Sequence, residues 1–171
     1  MISLDDLNCL ERPDFVAALG DIFEHSPWTA EEAFAQRPFT SVAHLHDAMV
    51  EAVTNTGEER QLALLRAHPE LAGALAVQGV LTEHSTREQG GSGLLDCSPQ
   101  EFARLQELNR AYGARFGFPF IIAVRGLDRT AIIAAFERRL ENSPEEEMAE
   151  ALRQVAKIAR FRLDALIEPA A

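Results

Sequence analysis

The chain has 171 residues, 16 basic against 27 acidic, and a formal charge of −11. That length suits one domain with a real core, and a hydrophobic share of 47% is too high for a disordered chain. The surplus of acid argues against a nucleic-acid groove or an anionic membrane surface as partner, since both need a basic footprint.

Helix signals run through most of the chain. Ser3-Leu4-Asp5-Asp6 can open a short first helix, and Pro13 fits the first turn of a second that runs to about His25. Thr29 to Glu32 has the form of a capping box, with Thr29 as N-cap and Glu32 three residues on. Thr56-Gly57-Glu58-Glu59 repeats that form before the apolar stripe of Leu62 and Leu65. From Ala72 to Ser98 the helical period is poor, and Gly73, Gly79, Gly90, Gly91 and Gly93 crowd in. So long a loop-rich stretch inside a helical domain is expected to be functional or mobile. Ser98-Pro99-Gln100-Glu101 is the strongest start signal, for a helix that should reach about Arg115 and stop before Gly117. Pro119 to Val124 reads as a buried extended stretch between helices. Ser143-Pro144-Glu145-Glu146 opens the last helix, which runs to about Ile167, with Glu145 to Glu147 read as a solvated start. The expected fold is an all-α, single-domain bundle over residues 1–171, with about seven or eight helices, one long functional loop region and no sheet.

The longest apolar run, Phe118 to Val124, is far too short to span a bilayer. Asp5 and Asp6 stand where a secretory leader would place bases, and the last residues are not a peroxisomal address. Cys9 and Cys97 are isolated and form neither a zinc nor a disulfide pattern. The expected compartment is the cytoplasm. There is no HExxH, phosphate loop, GxSxG or dinucleotide fingerprint, so chemistry by side chains alone is expected, without metal or cofactor.

Three places could carry such chemistry. His68 follows a helix and precedes Pro69, which pushes it out of the α region. An imidazole at a helix C-terminus feels the negative end of the macrodipole and can serve as an acid or base near neutral pH. By position alone, capping is the simpler account of it. Ser85, Glu88 and Gln89 form a polar run before Gly90 and Gly91, which either starts a short helix or faces a small polar ligand. The other histidines are weaker. His44 and His46 diverge on their predicted helix, and His84 with Glu88 lacks a third ligand at metal spacing.

Arg162 is the third place. Met148, Leu152, Val155, Ala159 and Leu166 are spaced 4, 3, 4 and 7, and dividing the last gap lands on Arg162. It falls inside the core-facing sector, whereas Arg160 points outside. A buried guanidinium must be paired with an acid or face an anion site.

Five strings occur together: Arg37-Pro38-Phe39 with Ser41; His68-Pro69-Glu70-Leu71; Leu81-Thr82 with Ser85 and Glu88-Gln89; Phe116-Gly117-Phe118-Pro119-Phe120; and Ile158 with Arg162-Leu163. In order and spacing they resemble the decarboxylases of 2-oxo-4-hydroxy-4-carboxy-5-ureidoimidazoline (OHCU), which act in purine ring degradation. The resemblance spans Arg37 to Leu166. It implies an all-helical enzyme that makes (S)-allantoin from a small anionic substrate, without cofactor or metal. It also implies His68 and Glu88 as catalytic residues, and Pro69, Ser85, Gln89, Phe120, Ile121, Ile122 and Arg162 as substrate-binding ones. Gly90-Gly91-Ser92-Gly93 departs from the pattern, where an alanine would be expected among the small residues. The resemblance also allows a homodimer, for which one chain shows no interface patch. Two rival readings stay open. One is a non-catalytic helical module that holds a small anion or a partner helix. The other is a structural bundle in which an acid neutralises Arg162 and His68 only caps.

Overall fold

A computed structural model of the chain describes residues 1–71 and 98–169. The expected loop region and its Ser85, Glu88 and Gln89 lie outside the described residues. Within them run eight α-helices: α1 (Leu4–Cys9), α2 (Arg12–Leu19), α3 (Trp28–Ala33), α4 (Val42–Asn55), α5 (Glu58–Arg66), α6 (Pro99–Phe116), α7 (Arg129–Arg139) and α8 (Pro144–Leu166). A short 3-10 turn, Phe34–Gln36, follows α3. The only strand-like pairing among the described residues is one isolated bridge between Ile2 and Ile167, so the all-α expectation holds. No described helix is long and apolar enough to cross a membrane. The chain divides into two compact units, Met1–Ala67 with Ala156–Ala171, and His68–Val155.

In the first unit, Ser3 caps α1 by accepting the Asp6 N–H at 3.0 Å. α2 ends at Leu19, well short of His25. Gly20 follows at a close approach, where a Cβ would lie 2.9 Å from the Val16 carbonyl oxygen and 3.4 Å from Pro27 Cβ. The chain then turns through Asp21 to Glu24, and His25 takes a positive φ of 48°. Thr29 is not an N-cap. Pro27, already helical at φ −60°, starts the turn early, and the buried Thr29 hydroxyl donates to the Ser26 carbonyl at 2.9 Å. Thr56 is not one either. It stays extended at the end of α4, and Gly57 precedes α5 with no side-chain cap.

The Arg37-Pro38-Phe39 string stitches this unit together. Arg37 donates to the carbonyls of Asn8 (2.9 Å), Leu10 (2.7 Å) and Phe34 (3.3 Å), and its guanidinium covers the Phe34 ring at 3.5 Å. The Asn8 amide pairs both ways with the Phe39 backbone, at 2.9 and 2.8 Å, and Ser41 caps α4. Phe15, Leu19, Leu45 and Met49 are fully buried, each worth about 1.5–3 kcal/mol of transfer free energy. The end of α8 joins this core through Ala159 and Leu163. One ring nitrogen of each α4 histidine is engaged with the backbone. His44 Nδ1 accepts the Thr40 N–H at 3.3 Å, and His46 Nε2 lies 2.8 Å from the Ala156 carbonyl oxygen.

In the second unit, α6 opens on the full Ser98–Glu101 capping box, with bonds of 3.2 and 2.9 Å. It closes on Gly117 at φ 75°, a left-handed cap that a side chain would strain. From Pro119 to Val124 the chain lies outside helix and sheet and is mostly buried. α7 has no counterpart in the sequence reading. Asp128 caps it by accepting the Ala131 N–H at 2.8 Å, without the acid three residues on that marks the Ser98 and Ser143 starts. α8 opens on the Ser143–Glu146 box.

Candidate functional site

His68 begins the second unit, just past the C-cap of α5, and only 8% of it is exposed. The buried Asn109 of α6 reaches the chain three residues on, donating to the Leu71 carbonyl at 2.8 Å. The segment that carries His68 and Pro69 is thus anchored at its far end by a side chain inside the same unit. Sequence reading missed Asn109, whose place on the buried face of α6 was its one signal.

Phe120, Ile121 and Ile122 are buried in the same unit, on the stretch between α6 and α7. A charged network stands behind them. Arg139 Nη1 donates to the Ile121 carbonyl at 2.6 Å, and its Nε donates to Glu147 at 2.8 Å. Glu147 also accepts from the Tyr112 hydroxyl and, at 2.6 Å, from the Asn142 amide. Burial, and then the bond to Glu147, push the Tyr112 hydroxyl well above its ordinary pKa, so it remains a donor. The Arg139 guanidinium covers the Phe120 ring at 4.5 Å, and that ring stacks on Phe136 at 3.7 Å.

This network corrects the reading of Glu145 to Glu147 as a solvated start. Glu145 and Glu146 are exposed, but Glu147 is fully buried. The buried stripe of α8 begins at Glu147 and Ala151, while Met148 and Leu152 are only half-buried. Hydropathy could not place an acid in the core, because what admits it is a compensating arginine on another helix.

Further along α8 the expected geometry holds. Arg162 is 3% exposed and belongs to the first unit, while Arg160 turns outward to pair with Asp164 at 2.9 Å. The acid foreseen by the structural reading is present. Glu24 lies 2.8 Å from Arg162 Nη1, and both side chains are buried. Glu24 sits in the turn region that had been expected to be helix, so nothing local in the sequence marked it as a partner.

The structure therefore places His68, Pro69, Phe120, Ile121 and Ile122 in one unit and Arg162 in the other. Among the described residues no group of three His, Cys, Asp or Glu side chains could hold a metal ion.

The family model described as OHCU decarboxylase matches residues 8–164. A 2-oxo-4-hydroxy-4-carboxy-5-ureidoimidazoline decarboxylase of Haloferax volcanii is 43% identical over 95% of this chain and 94% of its own. One from Mus musculus is 39% identical over 94% and 90%. A uric acid degradation bifunctional protein of Bacillus subtilis is 41% identical, and this chain spans 33% of its length. A crystal structure of (S)-allantoin synthase superposes with a TM-score of 0.79 at 31% identity, covering 98% of this chain and 54% of that one. With a match this long, and relatives this similar along their own length, the chain belongs to the OHCU decarboxylase family.

Proposed function

We propose that the chain converts 2-oxo-4-hydroxy-4-carboxy-5-ureidoimidazoline to (S)-allantoin in urate degradation, as a carboxy-lyase that needs no cofactor. The observation that carries this is the family match over residues 8–164, joined to relatives of that name matched over nearly their whole length. The substrate's own chemistry agrees. Its carboxylate and hydroxyl share one ring carbon beside a ring C=N. When the bond to CO₂ breaks, its electron pair moves toward that C=N, and the nitrogen takes a proton. Protonation of the neighbouring carbon, with loss of the hydroxyl proton, then gives the carbonyl of allantoin. The ring itself is the electron sink, which is the service a cofactor would otherwise supply.

The protein is left with binding, orientation and proton handling. In this reading His68 is the acid–base group, and its burial supports the role by limiting exchange with bulk water. Glu88 hydrogen-bonds the hydroxyl as it becomes a carbonyl, while Ser85 and Gln89 fix the ureido and ring amides; all three lie outside the described residues. Pro69 packs beside the ligand. Phe120, Ile121 and Ile122 offer backbone N–H groups, and Arg162 holds an anionic group while remaining paired with Glu24. One-sided proton delivery makes a single enantiomer. The reading takes the cytoplasm as compartment and a homodimer as assembly, the latter checked by sedimentation.

The experiment is to generate the substrate in situ from urate and follow optical activity at early times. Purified protein is expected to give allantoin faster and more enantiopure than the blank. An unchanged rate and enantiopurity would reject the assignment. His68→Ala is expected to lose the effect, and a near-normal rate would remove His68 from the chemistry.

A further inference from the structure

The stretch from Phe118 to Val124 belongs to no helix or sheet, so no ladder fixes its peptide groups. Two buried side chains do so instead. Arg139 holds the Ile121 carbonyl at 2.6 Å, and the Gln154 carbonyl oxygen accepts the Ala123 N–H at 3.0 Å. These two bonds fix the peptide groups on either side of Ile122. Each holder is itself held. Glu147 fixes Arg139 at 2.8 Å and is in turn bound by Tyr112 and Asn142. The Gln154 amide donates to Glu150 at 2.6 Å.

Packing alone does not call for such an arrangement. A buried ion pair is costly to desolvate, and apolar residues of similar volume often serve stability as well or better. What the pair supplies here is a donor aimed at one backbone carbonyl, locked by a second contact of the same guanidinium. We propose that Arg139 and Gln154 are positioning residues for the reaction: they set this segment so that the N–H groups of Phe120 to Ile122 form a preorganised cradle for an anionic or carbonyl oxygen of the substrate. Neither touches the substrate. The inference rests on the reading of Phe120 to Ile122 as the ligand-facing segment.

Two variants and one spectrum test it. Arg139→Lys keeps a cation for Glu147, but one ammonium cannot reproduce the fork that serves Glu147 and Ile121 together. Gln154→Met keeps the volume and removes the acceptor for Ala123. Each is expected to raise KM roughly tenfold with kcat changed by less than about twofold, because contacts held before and during the reaction act as uniform binding. A merely structural role would lower the melting temperature and leave the KM of the folded protein unchanged, which would overturn the proposal. Should Arg139→Lys not fold, Gln154→Met decides alone. The underlying reading is checked separately in the wild-type protein, by whether (S)-allantoin moves the amide resonances of Ile121 and Ile122. Moved resonances with unchanged KM in the variants would sink the positioning role alone. Unmoved resonances would sink the ligand-facing reading and the proposal with it.

Discussion

The Glu24 carboxylate stands 2.8 Å from Arg162 Nη1, with both side chains almost wholly out of solvent. The same Nη1 lies 3.1 Å from the Asp21 carbonyl oxygen and 3.4 Å from that of Ile22. The arginine proposed to hold the substrate is therefore also a structural keystone for the turn after α2, and a simple truncation would confound the two roles. Arg162→Ala is expected to cost about 3–5 kcal/mol in urea denaturation, because it strands a buried carboxylate. Combining Arg162→Met with Glu24→Leu removes both charges and is expected to restore a substantial part of that stability. Activity should not return with it. A stable double variant with near-normal turnover would free Arg162 of any part in substrate binding.

The sequence holds a single tyrosine, which makes the Glu147 network observable by ultraviolet absorbance. Burial and the bond to Glu147 raise the Tyr112 pKa above its ordinary 10.0. In the unfolded chain the phenol loses its proton above that value, while the folded protein keeps it. Stability from this group is thus complete below about pH 10 and declines as pH rises further. The tyrosinate band should appear only together with alkaline unfolding, in one transition. A separate, earlier ionisation in folded protein would contradict the buried geometry. Tyr112→Phe removes one donor to a charged acceptor and is expected to cost about 1.5–3 kcal/mol.

Two capping carboxylates predict an acid dependence of the opposite sign. The backbone N–H of Ser98, then its hydroxyl, hold the Glu101 carboxyl below the usual 4.5, and Ser143 does the same for Glu146. A lowered native value means that the stabilisation is complete above the unfolded value and is lost as pH falls through the native one. Glu101→Gln and Glu146→Gln keep a capping group but lose the charge. Each should unfold at a lower urea midpoint at about pH 7 and lie closer to the parent at about pH 3. Parallel curves for parent and variant across that range would refute the assignment.

Local signals explain what the sequence revealed. Ser98 with Glu101, and Ser143 with Glu146, are reciprocal boxes written within four residues, and both helices begin there. Arg162 was legible because helical periodicity is a local ruler, and the one base on the stripe stood out. Thr29 and Thr56 carried the same letters and failed, since Pro27 and Gly57 had already settled where those helices start. The partners were illegible for a different reason. Glu24 and Asn109 act across long stretches of chain, Arg139 and Glu147 meet from two different helices, and a buried charge is admitted only by a group that folding brings to it. Phe120 likewise had its surroundings decided elsewhere, by Arg139 and Phe136 of α7.

The end of α6 offers a last test, in which one substitution changes sign over four residues. Gly113 lies inside the helix, and a Cβ there would meet nothing within 4 Å. Gly113→Ala should stabilise by about 0.5–1 kcal/mol, through the lower backbone entropy of the unfolded chain and better helix propensity. Gly117 caps the same helix at φ 75°, where a Cβ crowds the following carbonyl oxygen. Gly117→Ala should destabilise by about 1–2 kcal/mol, and Gly117→Asn by less, since asparagine tolerates the left-handed region. Because Gly117 sets the entry to Phe118 and the buried segment after it, the Gly117 variants should also raise KM, while Gly113→Ala should not. Denaturant midpoints paired with steady-state kinetics separate the two effects. A Gly117→Ala protein of lower stability but unchanged KM would show that the segment takes its shape from Arg139 and Gln154 rather than from the cap.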